Sequence, residues 1–279
     1  MEVKFLICLP DDPGEILLST ALIRCLKNQV ADSMVIPVVR DSYTWLLSGN
    51  PFADELLSYR NKPEEILLPV KDQGADYLID LDGTGRLRRF KKRLKVLDFN
   101  LERNGLGDSP ERKRMFGKRN PGGSWTERAF KTLSVFDVAD DGLGPEYNAL
   151  PPDPDWMPGD FHNGYLVICL HALEQSGILT ESQLTQLAGM IEQPLIITGT
   201  QEDREMADHI GIQVGCSVLP ACGDFSDPQI ASVIKGSEAV LAFNPFWSLM
   251  AVVLNKPLAP LSDLDMPRIS AWMRQWIKK

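Results

Sequence analysis

The sequence predicts an α/β protein built from two Rossmann-like halves that face each other across a cleft. Three observations carry this. Short apolar runs alternate with helical patterns, the alternation stops at a proline-rich stretch, and it restarts on a second apolar run. The first half reads as "VKFLICL" (3–9), an amphipathic segment at 16–28, "MVIPVV" (34–39), a helix near 42–49, "YLIDLD" (77–82) and a helix from about 85 to 97. Runs that are apolar at nearly every position suit strands buried on both faces, as parallel sheets require. "PEYNALPPDPDWMPGD" at 145–160 holds five prolines and no periodicity, the pattern of an extended linker. The domain boundary is placed there, giving 1–152 and 153–279. The second half begins on "GYLVICL" (164–170). It continues with a helix near 180–192, "PLIITG" (194–199), a helix at about 202–210, "CSVLP" (216–220), a helix near 227–235 and "AVLAF" (239–243). In "PRISAWMRQWIKK", Ile269, Trp272, Met273 and Trp276 fall on one helical face, so this segment is expected to dock, on its own half or back on the first.

With 279 residues the chain is long enough for two domains that each bury a core. A hydrophobic share of 44% and a charged share of 24% are those of a soluble globular protein. The net charge of −9 excludes a general nucleic-acid binder, which needs surplus Lys and Arg on the binding face. Five cysteines without CxxC spacing indicate neither a zinc site nor a disulfide framework, and fit reduced thiols. His162, His171 and His209 have no metal-ligand spacing. No charged leader precedes a long apolar stretch, and no apolar run approaches the roughly 20 residues that span a bilayer. A cytoplasmic location is expected, with any membrane contact peripheral and at the inner face of the inner membrane.

The first strand runs into "PDDPGE" (10–15), at the position where open α/β sheets bind ligands. In structural terms Asp11 or Asp12 caps the following helix, Pro13 fits its first turn and Glu15 favours the positive end of its dipole. "RLRRFKKRLKVL" (86–97) carries seven basic residues while Leu87, Phe90, Leu94 and Leu97 repeat at helical spacing. Such a helix either solvates its charged face or lies against an anionic lipid or phosphorylated glycolipid. "ERKRMFGKR" (111–119) adds basic charge.

The stretch from Leu6 through Gly14-Glu15 to "LLSTALIRCLK" resembles the opening of the lipopolysaccharide heptosyltransferases, glycosyltransferase family 9. There a strand leads to a Ser-Ser-x-Gly-Asp turn and then a helix. "SGNPFADELL" (48–57), "ADYLIDLDGTGRLRR" (75–89), "SWTERAFKTLSVFDVADDGLGPEY" (124–147) and "PLIITGTQEDREMADHIG" (194–211) are similar to further stretches of that family, so the resemblance covers nearly the whole chain. It implies a GT-B fold, with the first domain taking an acceptor and the second a nucleotide-diphosphate sugar such as ADP-heptose. It implies no metal and no cofactor. Glu15 stands where the family has its catalytic base, with Asp12, Gly14 and Arg86 on the acceptor side. Gly199, Thr200, Glu202 and Asn244 stand on the donor side. Glu202, followed by Asp203, is placed either to accept from ribose hydroxyls or as a first-turn helix acid.

The departures from the family pattern fall at these same places. Asp11 and Asp12 replace two serines, and three carboxylates repel a phosphate-rich substrate unless cations intervene. "CLHALEQSGILTE" (169–181) has no Lys or Arg where the family holds a diphosphate. In "AFNPFWSLMAVVLNKP" (242–257), Asn244, Pro245, Phe246 and Leu249 replace Asp, Thr, Gly and His. Pro245 lacks an N–H and Phe246 fills space that glycine leaves open. Two functions follow. One is a divergent inverting heptosyltransferase-type enzyme acting on an anionic glycolipid or other envelope acceptor. The other is a non-catalytic GT-B binding or scaffold protein in envelope glycan assembly.

Overall fold

The computed structural model describes residues 2–66, 74–82, 97–100, 124–153, 157–170, 180–259 and 272. The chain divides into two compact units, Met1–Asn148 and Ala149–Lys279.

The first unit is built on a parallel sheet of five strands: β1 (Val3–Cys8), β2 (Ser33–Arg40), β3 (Leu57–Tyr59), β4 (Tyr77–Asp80) and β5 (Leu97–Asn100), in the order β3-β2-β1-β4-β5. β1 is central, pairing Phe5 with Val35 on one side and with Tyr77 on the other. Its residues Phe5 to Cys8 are therefore all buried, which is why the run is apolar throughout. Pro37 is tolerated in β2 because the β3 pairing covers only Val38–Arg40.

Helix α1 (Pro13–Gln29) follows β1. Asp12 adopts extended backbone angles, and its side chain accepts from the Glu15 N–H at 2.8 Å, so Asp12 rather than Asp11 is the cap. Pro13 occupies the start and Lys27 the last turn. The helix is buried over most of its circumference. Its Ser19 and Thr20 hydroxyls are satisfied by donating to the Glu15 and Leu17 carbonyls, both at 2.7 Å. Helix α2 (Trp125–Leu133) starts with a Ser124–Glu127 capping box and packs on α1. Residues 139–146 are then strapped along α1. Gln29 exchanges two hydrogen bonds with Ala139, and the Arg24 guanidinium bonds both Asp141 oxygens at 2.8 Å and the Gly144 carbonyl at 2.9 Å.

The second unit has a four-stranded parallel sheet: β6 (Leu166–Cys169), β7 (Leu195–Thr198), β8 (Val218–Pro220) and β9 (Ala239–Ala242), ordered β8-β7-β6-β9. Helices α3 (Glu181–Ala188), α4 (Arg204–Gln213), α5 (Asp227–Gly236) and α6 (Pro245–Val253) alternate with the strands. Ile168, Leu184, Leu187, Ile197, Ile210 and Leu241 share one buried cluster, against which Trp272 of the final segment packs. That segment thus touches its own unit at the one residue described.

Some sequence expectations need correction. The helix near 42–49 is a 3-10 turn, Asp41–Leu46, because Gly49 at φ +74 and Asn50-Pro51 end it. The helix extended to 97 cannot include Leu97, which opens β5. Residues 83–96, with Arg86 and most of the basic helix, lie outside the described residues, as do 111–119, 171–179 with His171, and Ile269, Met273 and Trp276.

Candidate functional site

In an open parallel sheet, loops diverge after two adjacent strands whose connections leave in opposite directions, and ligands bind there. In the first unit those strands are β1 and β4, so the loop Leu9–Asp12 and the turn after Asp80 lie side by side. "PDDPGE" is that loop. In the second unit the strands are β6 and β9, so Asn244 stands at the equivalent point of its own sheet.

The three carboxylates of "PDDPGE" divide between distinct roles. Asp12 is committed to the cap. Asp11 is held by Arg40, the last residue of β2: Arg40 Nε donates to Asp11 Oδ1 at 2.6 Å, and Nη2 contacts Oδ2 to complete a fork-on-fork pair. The same guanidinium lies 5.9 Å from the Tyr59 ring centroid. Arg40 is thus the cation that the acidic turn calls for, and sequence reading missed it. Its only signal was an arginine ending an apolar run. Glu15 sits in the first turn of α1, half-buried, next to Gly14. A carboxylate there gains from the helix dipole in its charged form. Sequence reading also passed over Asp80, a fully buried acid ending β4 opposite Cys8, whose Oδ1 accepts from the Asp82 N–H at 3.1 Å.

In the second unit Gly199-Thr200 follow β7. The Thr200 N–H and hydroxyl both donate to Asp203 Oδ2, at 2.7 and 2.8 Å. Asp203 is buried and Glu202 exposed, so Asp203 is the capping acid and Glu202 projects to solvent from the 3-10 turn Gln201–Asp203. Gly199 has a packing reason: a Cβ there would stand 2.7 Å from Asp203 Oδ2 and 2.9 Å from Cys222 Sγ. Gly199→Ala is expected to destabilise by about 1–3 kcal/mol through overpacking, read as a lowered denaturation midpoint. An unchanged midpoint would show that the loop shifts freely.

Asn244 caps α6, and its Oδ1 accepts from the Phe246 N–H at 2.8 Å. Pro245, at the first helical position, has no N–H to offer. Two of the groups with which a helix start would grip an anion are thus spent or absent. The Phe246 ring packs edge-on to buried Trp247 with centroids 4.8 Å apart.

No disulfide joins any of the five cysteines, and four of them are buried. Among the described residues Cys25, Asp140 and Asp141 offer atoms within 4.8 Å of one another. Asp141 is engaged by Arg24, and burial pushes the Cys25 thiol up, so this group is an ion pair beside a protonated thiol. No described helix is long and apolar enough to cross a membrane.

No protein-family model matches the chain, and no curated protein matches it in sequence. Among solved structures it is similar to a glycosyl transferase family 9 protein from Veillonella parvula, with TM-score 0.74 and 14% identity over 92% of this chain and 81% of that one. It is similar to the E. coli ADP-heptose lps heptosyltransferase II, with TM-score 0.73 and 13% identity over 99% and 98%. It is also similar to the E. coli heptosyltransferase WaaC with ADP, with TM-score 0.70 and 14% identity over 98% and 97%. The resemblance carried by the sequence motifs is therefore found again in three dimensions, and the chain has the α/β, GT-B fold of these family 9 structures.

Proposed function

We propose that the chain is an inverting glycosyltransferase of the heptosyltransferase type, moving a sugar from a nucleotide diphosphate to a lipopolysaccharide or other envelope acceptor. The first unit takes the acceptor and the second the donor. The observation that carries this reading is the division of labour in "PDDPGE". Asp12 fixes the start of α1 and Asp11 is neutralised by Arg40, while Glu15 stands at the strand-crossing point as the carboxylate for proton removal. Glu15 takes the acceptor hydroxyl proton as that oxygen bonds to the anomeric carbon, and the bond from that carbon to the diphosphate breaks. Gly14 leaves the helix start open to the acceptor, and Arg86 supplies charge toward an anionic glycolipid. Gly199, Thr200, Glu202 and Asn244 border the donor. An ADP-sugar is the first donor to test, because a structural relative is a complex with ADP. A basic segment at 86–97 supports peripheral contact with an anionic inner-membrane surface.

A second reading, a non-catalytic binding or scaffold protein, is favoured by one specific observation. The self-capped start of α6 offers a diphosphate fewer donors than an open helix terminus. Calorimetric titration of the full chain with ADP-, UDP- and GDP-sugars separates the two. The transferase reading expects micromolar binding of one donor. Absence of binding by all of them selects the scaffold.

A further inference from the structure

Three strand ends meet at the edge of the first sheet from which "PDDPGE" leaves. Asp11 follows β1, Arg40 ends β2 and Tyr59 ends β3, with Arg40 and Tyr59 paired in register. Tyr59 is buried in a cluster with Leu6, Ile36, Val38 and Leu78, so the ring that the Arg40 guanidinium lies against is fixed by the core. The four residues leading from β1 into α1 are anchored at both ends and between. The Leu9 N–H donates to the Val38 carbonyl at 3.0 Å, Arg40 holds Asp11, and Asp12 Oδ1 accepts from the Glu15 N–H at 2.8 Å.

Asp11 and Asp12 are chemically equivalent caps. Either carboxylate can accept from the amides that open a helix, and the positive end of the dipole draws both. Pro13 makes the two choices differ. A cap at Asp11 would have to take the Gly14 N–H, because Pro13 has none to give. The helix would then begin one residue earlier, the Glu15 N–H would pass from the Asp12 side chain to the Asp11 carbonyl, and the shortened connection would draw the first turn, with Glu15, out of place. Arg40 decides between the two, since its guanidinium engages both Asp11 oxygens and Asp12 is left to cap.

We infer that Arg40 is a positioning residue for the proposed transfer: it withholds Asp11 from the start of α1, keeps Asp12 as the cap, and so fixes where Glu15 stands. The catalytic consequence rests on the transferase reading, but the register of the helix start is measured without turnover, so each can fail separately. Stability alone would not expose the role. The Arg40 and Asp11 side chains are 34% and 26% exposed, and a pair this open to water adds little to stability. Arg40→Met is therefore expected to unfold near the wild-type midpoint.

The test compares the full chain with Arg40→Met, Arg40→Lys and the Arg40→Met/Asp11→Ala double variant. Amide NMR is read at Gly14 and Glu15, and steady-state transfer is measured from a nucleotide sugar that the chain binds to an envelope glycolipid. In Arg40→Met both amide signals are expected to shift or double as the two acids compete. Its kcat should fall about tenfold with the donor KM within about twofold, as for a displaced catalytic group rather than a lost binding contact. The double variant removes the competing acid and should regain the wild-type amide signals and most of the rate. Arg40→Lys keeps the charge without the fork and should fall between. The inference is overturned by wild-type Gly14 and Glu15 signals in Arg40→Met, by wild-type kcat in that variant, or by a double variant no better than it. Shifted amides with no product from the wild type would instead overturn the transferase reading and uphold the role of Arg40 at the helix start.

Discussion

Glu15→Gln is expected to lower sugar transfer by at least about a hundredfold, the usual loss when a positioned general base is removed, while donor affinity is kept. The substitution is selective because the fold uses the backbone of this residue. The Asp12 cap accepts from the Glu15 N–H, and Ser19 donates to the Glu15 carbonyl. The side-chain charge adds a first-turn dipole interaction of about 0.3–1 kcal/mol, and the variant is expected to unfold close to the wild type. Asp12→Ala provides the contrast. It removes the cap at a cost of about 1 kcal/mol, and should slow transfer only as far as the helix start loosens. Steady-state kinetics with matched denaturation curves decide the matter, and a Glu15→Gln enzyme as fast as wild type would remove Glu15 from the chemistry.

Arg24→Met is expected to cost about 3 kcal/mol in unfolding free energy. The guanidinium is buried and its removal strands Asp141 and Glu146 together; removing one partner of a buried pair costs about 3–5 kcal/mol. The lower end applies because the Asp141 side chain is 24% exposed and water recovers part of the loss. The same pair gives a pH signature. The Arg24 hydrogen bond holds the Asp141 carboxyl well below the usual carboxylate range, against the opposing effect of burial. A carboxylate with a lowered folded pKa stabilises the protein above its unfolded value of about 3.9, and that stability is lost as pH falls below it. Denaturation midpoints should therefore decline below about pH 4 in the wild type, and less steeply in Asp141→Asn. Parallel profiles would show that the pair adds no pH-dependent stability.

The sheets were legible because central parallel strands are apolar at nearly every position: "VKFLICL", "GYLVICL" and "PLIITG" each contain a strand paired on both sides with both faces covered. β3 was not legible, since three residues with one buried position carry no period. The helix expected near 42–49 failed because propensity there yields to the Gly49 turn and Asn50-Pro51. At the site, local rules placed a cap at Asp11 or Asp12 but could not choose. The choice is made by Arg40, 29 residues from Asp11. Arg24 likewise finds Asp141 across 117 residues. Such partners are set by topology, which no window of neighbouring residues contains.

The most direct test of the account is to incubate the full chain with a nucleotide sugar that it binds and an envelope glycolipid acceptor, and to read the anomeric configuration of the product by NMR. A single displacement assisted by Glu15 predicts one product of inverted configuration from the wild type, formed at least about a hundredfold more slowly by Glu15→Gln. A product of retained configuration, or no product from folded protein with donor bound, would contradict it.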